Sequence, residues 1–389
     1  MIFIKILFWF SVACLVHTYF IYPLSLYLFS TFKRKLNNDQ GIKHKEFVSV
    51  IMAVYNEEQV IEKKIRSVLD SNYKGNLELI IGSDNSSDKT NEIIRRLQSE
   101  YPGLIKAFFF ESRRGKSAQL NILSKEAKPG IFILTDANVY FDKNTINKLI
   151  MHFNDPETGI VGANIINPET NKDGISIQEK LFIRQEVYMK YYEGKLWGSM
   201  IGAFGGCYAI RSELLPDIPT DYAVEDFFIT MSVLEKGKKA NTELKAFVYE
   251  DVSNDWKIEY KRKVRISVGN FQNLKHFYSL LWPPYKGVSY AFFSHKVLRW
   301  FGPFLIIFSF ISNIFLAVNN IFYLSLLALQ LVLLCSLLID FLLKKFNIHI
   351  VILRFISHFF TMNMALLEGF FKFLKGEHTN VWQPTKRNQ

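Results

Sequence analysis

Two hydrophobic rhythms divide this chain. Residues 2–30 form an unbroken apolar run whose only formal charge is Lys5, and residues 300–318 and 321–343 form two more, separated by Asn319-Asn320. A helix needs about 20 residues to cross a hydrocarbon core of ~30 Å, so each run predicts a membrane helix, the last two as a hairpin. Phe32-Lys33-Arg34-Lys35 follows the first run where a signal peptide would carry a small-residue cleavage site. That run therefore reads as a retained anchor at 1–32 with its basic end in the cytosol. Lys296 and Arg299 before the hairpin, and Lys344 and Lys345 after it, put both of its ends on the same cytosolic side. Asp340, near the end of the second arm, is placed to pair with Lys344 four residues on.

Residues 348–375 carry a different pattern. Arg354, His358, Thr361, Ala365, Glu368, Lys372 and Lys375 recur at steps of three and four, a stripe of polar or small residues on one helix face. Such a helix either lies in the interface plane, which is favoured because it keeps Arg354, Lys372 and Lys375 in water, or crosses with its stripe against other helices. Residues 276–299, with Trp282-Pro283-Pro284-Tyr285, read as interfacial, and 376–389 as a cytosolic tail.

The middle alternates on a shorter scale. Apolar β-type runs at 47–54, 77–82, 105–110 and 131–134 are separated by segments with helical spacing, such as Val60, Ile61, Ile65, Val68 and Leu69. Strand–helix–strand repetition predicts a doubly wound α/β domain. Ligands of such sheets sit at the carboxyl ends of the strands. Tyr55–Glu58, Ser83–Asp88 and Asp136–Asn138 all fall there.

Composition sharpens the class. The formal net charge is +11, and many of the basic residues flank apolar runs, which points to a membrane rather than nucleic acid; no nucleic-acid motif is present. Cys14, Cys207 and Cys335 are too widely spaced for a disulfide framework or a metal cluster. Neither G-x-G-x-x-G nor a Walker A sequence follows the first strand, which excludes the usual dinucleotide and P-loop chemistry. Instead Arg113-Arg114-Gly115-Lys116 opens a helix after the third strand, a basic turn suited to a diphosphate.

These residues resemble family 2 glycosyltransferases, the inverting type whose nucleotide-sugar domain has the GT-A fold, a Rossmann-like α/β arrangement. The resemblance runs from about Val48 to Gln272, within a catalytic domain expected at 45–275. Four motifs carry it in order: Val54-Tyr55-Asn56-Glu57-Glu58 at the first strand end; Ser83-Asp84-Asn85-Ser86-Ser87-Asp88-Lys89-Thr90, similar to D-D-x-S-x-D-x-T; Asp136-Ala137-Asn138 at the place of D-x-D; and Glu225-Asp226 at the place of the acceptor-side acidic pair. The resemblance implies roles. Tyr55, Glu57, Asp84, Lys116 and Asp136 would bind the nucleotide, with Asp84 on the base. Asp136 and Asn138 would hold a divalent metal, Mg or Mn. Glu225 and Asp226 would be catalytic, with Asp226 the general base. Gly206 and Arg211 would shape the sugar pocket, and Arg262 and Arg265 would clamp the diphosphate, although a helix lying on anionic lipid uses the same charges.

Two positions depart from the family pattern. Asn138 replaces the second acid of D-x-D. In Arg262-Lys263-Val264-Arg265-Ile266, Arg262 and Ile266 stand where processive synthases carry the Gln and Trp of Q-x-x-R-W. The tail Trp382-Gln383-Pro384-Thr385-Lys386-Arg387 is similar to the W-x-P-T-x-R ending of membrane-bound members. The expectation is a membrane-bound transferase with a cytosolic catalytic domain. It would move a sugar from a nucleotide-diphosphate donor, of UDP-sugar type, to a lipid-linked or membrane-proximal glycan in cell-envelope polysaccharide biosynthesis. A processive synthase is the alternative, and a non-catalytic scaffold a third reading.

Overall fold

In the computed structural model, residues 1–33, 46–167, 176–251, 255–318, 320–346 and 348–377 are described. Arg34-Lys35 and the Trp382–Arg387 motif lie outside them. The chain opens with helix α1 (Ile2–Phe32). The α/β part follows as β1 (Val48–Val54), α2 (Ile61–Leu69), β2 (Leu77–Asp84), α3 (Thr90–Glu100), β3 (Ile105–Phe110), α4 (Lys116–Glu126), β4 (Ile131–Thr135), β5 (Tyr140–Phe141), α5 (Thr145–Ile150), β6 (Thr158–Ile166), α6 (Ser176–Trp197), β7 (Cys207–Arg211), α7 (Glu225–Glu235), β8 (Lys239–Tyr249) and α8 (Trp256–His276).

Every residue of β1 is buried, as a central parallel strand requires. It pairs in parallel with β2 and β4, and β2 pairs in parallel with β3. The full order is β3-β2-β1-β4-β7-β6-β8-β5. The sheet is not parallel throughout: β7 runs antiparallel to both β4 and β6, and β5 antiparallel to β8. The repeat at 47–134 thus predicts one half of the sheet, and the second half is mixed.

The two sheet faces have separate cores. One, with Ile61, Ile65, Ile94, Leu97 and Ile146, lies under α2, α3 and α5. The other joins Ile51, Ile80, Phe132 and Ile210 to Phe227 and Phe228 of α7, and continues into Tyr22 of α1 and residues Phe292 and Trp300. Burying each such side chain contributes roughly 1.5–3 kcal/mol. The catalytic sheet and the apolar helices therefore share one core.

Among the described residues, three helices are long and apolar enough to cross a membrane: α1, α11 (Ile321–Lys345) and α12 (Val351–Leu374). The run expected to span at 300–318 is different. Its helix α10 (Gly302–Ala317) has 16 residues and follows α9 (Gly287–Trp300) at a 62° bend, a broken span or a re-entrant loop.

The stripe on α12 has partners. His358 faces Glu179 of α6 at 3.2 Å, Glu368 accepts from the Tyr260 hydroxyl of α8 at 2.7 Å, and Gly369 lets α12 close on Ser267. Arg354 lies 3.5 Å from Asp340, which also pairs with Lys344 at 2.6 Å. Part of the stripe thus packs against the α/β part and α11; of the three residues expected in water, Arg354 is buried, Lys372 is partly exposed and Lys375 is exposed.

Candidate active site

The loops at the strand ends are tied to one another. The backbone N–H of Asn56 donates to Ser86 Oγ at 3.1 Å, and Ser87 N–H donates to Asn56 Oδ1 at 2.8 Å. Glu58 N–H donates to Asp88 Oδ2 at 3.1 Å, and Lys89 N–H returns a bond to Glu58 Oε2 at 2.9 Å. Asn56 and Asn85 both adopt positive φ, which Asn tolerates better than most residues.

Asp84 is fully buried. Its carboxylate accepts from Arg113 Nε at 3.0 Å, Arg114 N–H at 2.7 Å and Gly115 N–H at 3.1 Å. The residue expected on the nucleotide base thus holds the basic turn that opens α4. Arg113 in turn lies over the Tyr55 ring, 3.3 Å from its centroid.

Lys116, first residue of α4, reaches across to Asp136 at 2.7 Å and Glu225 at 2.6 Å. These two carboxylates belong to motifs far apart in the sequence, and one ammonium joins them. Burial opposes its charge, yet both acids favour it, and the net effect raises its pKa. The strand-end turn carrying Asp136 rests on a residue the sequence reading missed. Lys64, fully buried on α2, donates to Thr135 Oγ1 at 2.8 Å and Val139 O at 2.5 Å. Burial lowers its pKa to about 7. Its position in the apolar stripe of α2 was the available signal.

Asp226 lies in the first turn of α7, beside Glu225. Burial, then the Glu225 charge, raises its pKa to about 6 against the pull of Lys116 and Lys190. A Cβ at Gly205 would stand 2.9 Å from Asp226 Oδ2, so glycine there leaves the carboxylate room. Asn138 donates its amide to Glu250 Oε1 at 3.0 Å.

A cavity of about 1250 Å³ gathers these groups. Glu57, Lys116, Asp136, Asn138, Gly206, Glu225, Asp226, Arg262 and Arg265 all line it. Arg262 pairs with Glu259 at 3.1 Å, and Lys263 with Glu179 at 3.0 Å, so these two cations of α8 have carboxylate partners within the protein. Arg211 is not on the cavity wall. Its guanidinium donates to the carbonyls of Phe153, Asp155 and Thr158, tying β7 to the loop before β6.

The far wall was not foreseen. Lys296 and Arg299, read as flanking charges of a membrane hairpin, are largely buried and pair with Glu186 of α6. His295 bridges Glu186, at 3.0 Å, and Glu193, at 2.6 Å, and the Tyr22 hydroxyl of α1 donates to Glu193 at 2.8 Å.

Comparison with known proteins agrees with this architecture. Residues 49–218 match the model of Glycosyl transferase family 2. A probable glycosyltransferase of Bacillus subtilis strain 168, YdaM, is 26% identical over 253 residues, which is 62% of this chain and 60% of that one. A poly-beta-1,6-N-acetyl-D-glucosamine synthase of Staphylococcus aureus strain COL is 31% identical over 130 residues, 32% of this chain and 30% of the synthase. The chain thus spans less than two thirds of either relative's length. The solved mannosyltransferase PcManGT of Pyrobaculum calidifontis, in complex with GDP-Man and Mn2+, matches 95% of this chain and 99% of its own with a TM-score of 0.71 at 20% identity, which shows a shared fold. Sheet, motifs and family match converge: residues 49–218 match glycosyl transferase family 2, and the chain has the GT-A fold.

Proposed function

We propose that this chain is a membrane-bound inverting glycosyltransferase. It would move a sugar from a nucleotide-diphosphate donor, of UDP-sugar type, to a hydroxyl of a lipid-linked or membrane-proximal glycan. The observation that carries the reading is the continuous cavity. Its wall includes Asp136 and Lys116 at the strand ends, Asp226 on α7, and Trp300 and Phe359 from the apolar helices. Donor chemistry and an approach from the bilayer meet in one space, with the catalytic domain on the cytosolic side.

The residues fit a divalent metal carried in with the donor. Asp136 and Asn138 are hard oxygen donors two positions apart, and Asn138 directs its amide nitrogen to Glu250, which leaves its oxygen for another partner. Among the described residues no group of three His, Cys, Asp or Glu is placed to hold a metal. Mg²⁺ and similar ions commonly take only one or two carboxylates plus phosphate oxygens and water. Such a metal would neutralise charge on the departing diphosphate. The chain's own groups do the rest. Lys116 and Arg265 face the diphosphate end, and Asp226 takes the proton of the acceptor hydroxyl as it attacks the sugar from the opposite side. One displacement inverts the anomeric centre.

Transfer of radiolabelled sugar from UDP-sugars to a membrane extract tests the reading. Wild type transfers and folded Asp226→Asn does not; equal transfer by both would remove Asp226 as base. Sequence similarity to a polysaccharide synthase supports the processive alternative, while Ile266 at the stacking position opposes it. Long polymer made in a single encounter would decide for the synthase.

A further inference from the structure

The cavity holds a buried lysine whose ammonium makes no hydrogen bond among the described residues. Lys190, on α6, is only 5% exposed and lines the cavity. Its ammonium sits over the Phe204 ring, 3.5 Å from the centroid, and makes no hydrogen bond or ion pair among the described residues. Burial and the neighbouring Lys296 lower its pKa to about 7. A buried ammonium without a hydrogen-bond partner is unfavourable, so an empty fold gains nothing by keeping it.

Its neighbours form a graded path. Asp226 and Lys190 interact electrostatically, and Lys190 in turn feels Lys296 and Glu186. Glu186 pairs with Arg299, whose guanidinium lies 5.6 Å from the ring centroid of Tyr19 on α1. The same cavity is also lined by Trp300 of α9 and by Phe359 and Met362 of α12. A base, three cations and apolar side chains in one cavity match the chemical groups of an amphiphile with a hydroxylated head, an anionic link and a tail. A neutral headgroup would leave Lys190 unpaired. A phosphate has the acceptor oxygens to engage Lys190, Lys296 and Arg299 together.

We propose that Lys190, with Lys296 and Arg299, binds the phosphate that joins the acceptor's hydroxyl-bearing headgroup to its lipid tail. The acceptor class is then a phosphate-linked amphiphile. This inference rests on the transferase reading above and narrows its acceptor.

The full chain in neutral detergent is titrated calorimetrically with monomeric dihexanoyl phosphatidylglycerol, with uncharged dihexanoylglycerol and with inorganic phosphate. Wild type should bind the phosphatidylglycerol probe at least about tenfold more tightly than either alternative, the equivalent of one charge-assisted hydrogen bond. Lys190→Met should lose about that factor for phosphatidylglycerol alone, keep its affinity for UDP, and melt at a higher temperature without ligand. Lys125→Met, at an exposed site, should bind like wild type. Unchanged phosphatidylglycerol affinity in folded Lys190→Met overturns the proposal and leaves Lys190 as a counterion of Asp226. An equal loss in Lys125→Met overturns it as general charge attraction, and inorganic phosphate binding as tightly as the lipid overturns it in favour of a free-anion site. The wild-type comparison decides even without the variant: equal affinity for the charged and uncharged amphiphiles also overturns it. A wild type that prefers phosphatidylglycerol but binds no UDP-sugar upholds the phosphate site and removes the donor assignment alone.

Discussion

The two halves of the cavity are built in opposite ways. The donor half comes mainly from short loops at the ends of β1, β2 and β4, each a contiguous motif that bonds to the next loop. Backbone bonds such as Ser87 N–H to Asn56 Oδ1 hold it, and Lys116 joins its acids. The membrane half comes from side chains on α1, α6, α9 and α12. Glu186 alone gathers His295, Lys296 and Arg299. Such a hub is invisible to local patterning because each partner reads as something else: a flanking charge, an interfacial histidine, a polar residue on a helix. Local loops can tolerate change one residue at a time, whereas a buried hub fails when any member leaves its partners uncompensated.

Substitutions in each half test this contrast. The largest effect belongs to Asp226→Asn, which should lower transfer by about 10²–10⁴-fold, the usual contribution of a positioned base. The same variant should melt no lower than wild type at neutral pH. The Asp226 pKa rises from 3.8 to about 6 on folding, so its ionised form disfavours the fold above that range. A lower melting point would mean that Asp226 is mainly structural.

Glu186→Gln comes next. It should destabilise the fold by roughly 3–5 kcal/mol, because His295, Lys296 and Arg299 lose their shared counterion. Chemical denaturation read by tryptophan fluorescence measures this. The folded fraction should bind UDP normally; weakened binding would show that the two halves are coupled.

Lys116→Met should reduce UDP affinity about 10- to 100-fold, since it removes the charge that faces the diphosphate and that separates Asp136 from Glu225. Unchanged affinity by calorimetry would move the diphosphate elsewhere in the cavity.

The smallest expected effect concerns pH. Transfer should rise about tenfold per pH unit below about 6 and level off above it, because only ionised Asp226 accepts a proton. Glu225→Gln removes the neighbouring charge that helps raise the pKa, so the midpoint should move down by about one unit or less. An upward shift would contradict the assignment of Glu225 as the repelling neighbour.

The strand-end loops and the acidic pair were legible because they are written in contiguous stretches: 54–58, 83–90, 136–138 and 225–226. The parallel half of the sheet was legible for the same reason, through its buried runs. Even there, position did not settle contact. Asp84 turned inward to hold the Arg113–Gly115 turn, and Arg211 turned to backbone carbonyls. The antiparallel insertion of β7 was hidden because a five-residue buried strand reads alike in either direction. The stripe on α12 was visible but its partners were not, since Glu179 and Tyr260 lie on other helices. Lys190 carried no local signal at all: one lysine among the many polar residues of α6 looks solvated until the fold closes over it.

The central claim is a single displacement assisted by one carboxylate, with Asp226 opposite the departing diphosphate. The anomeric configuration of the first product, read by proton NMR coupling constants after transfer by the purified full chain, tests it most directly. The account predicts the configuration opposite to that of the donor sugar. Retention would demand a second nucleophilic step and would contradict it.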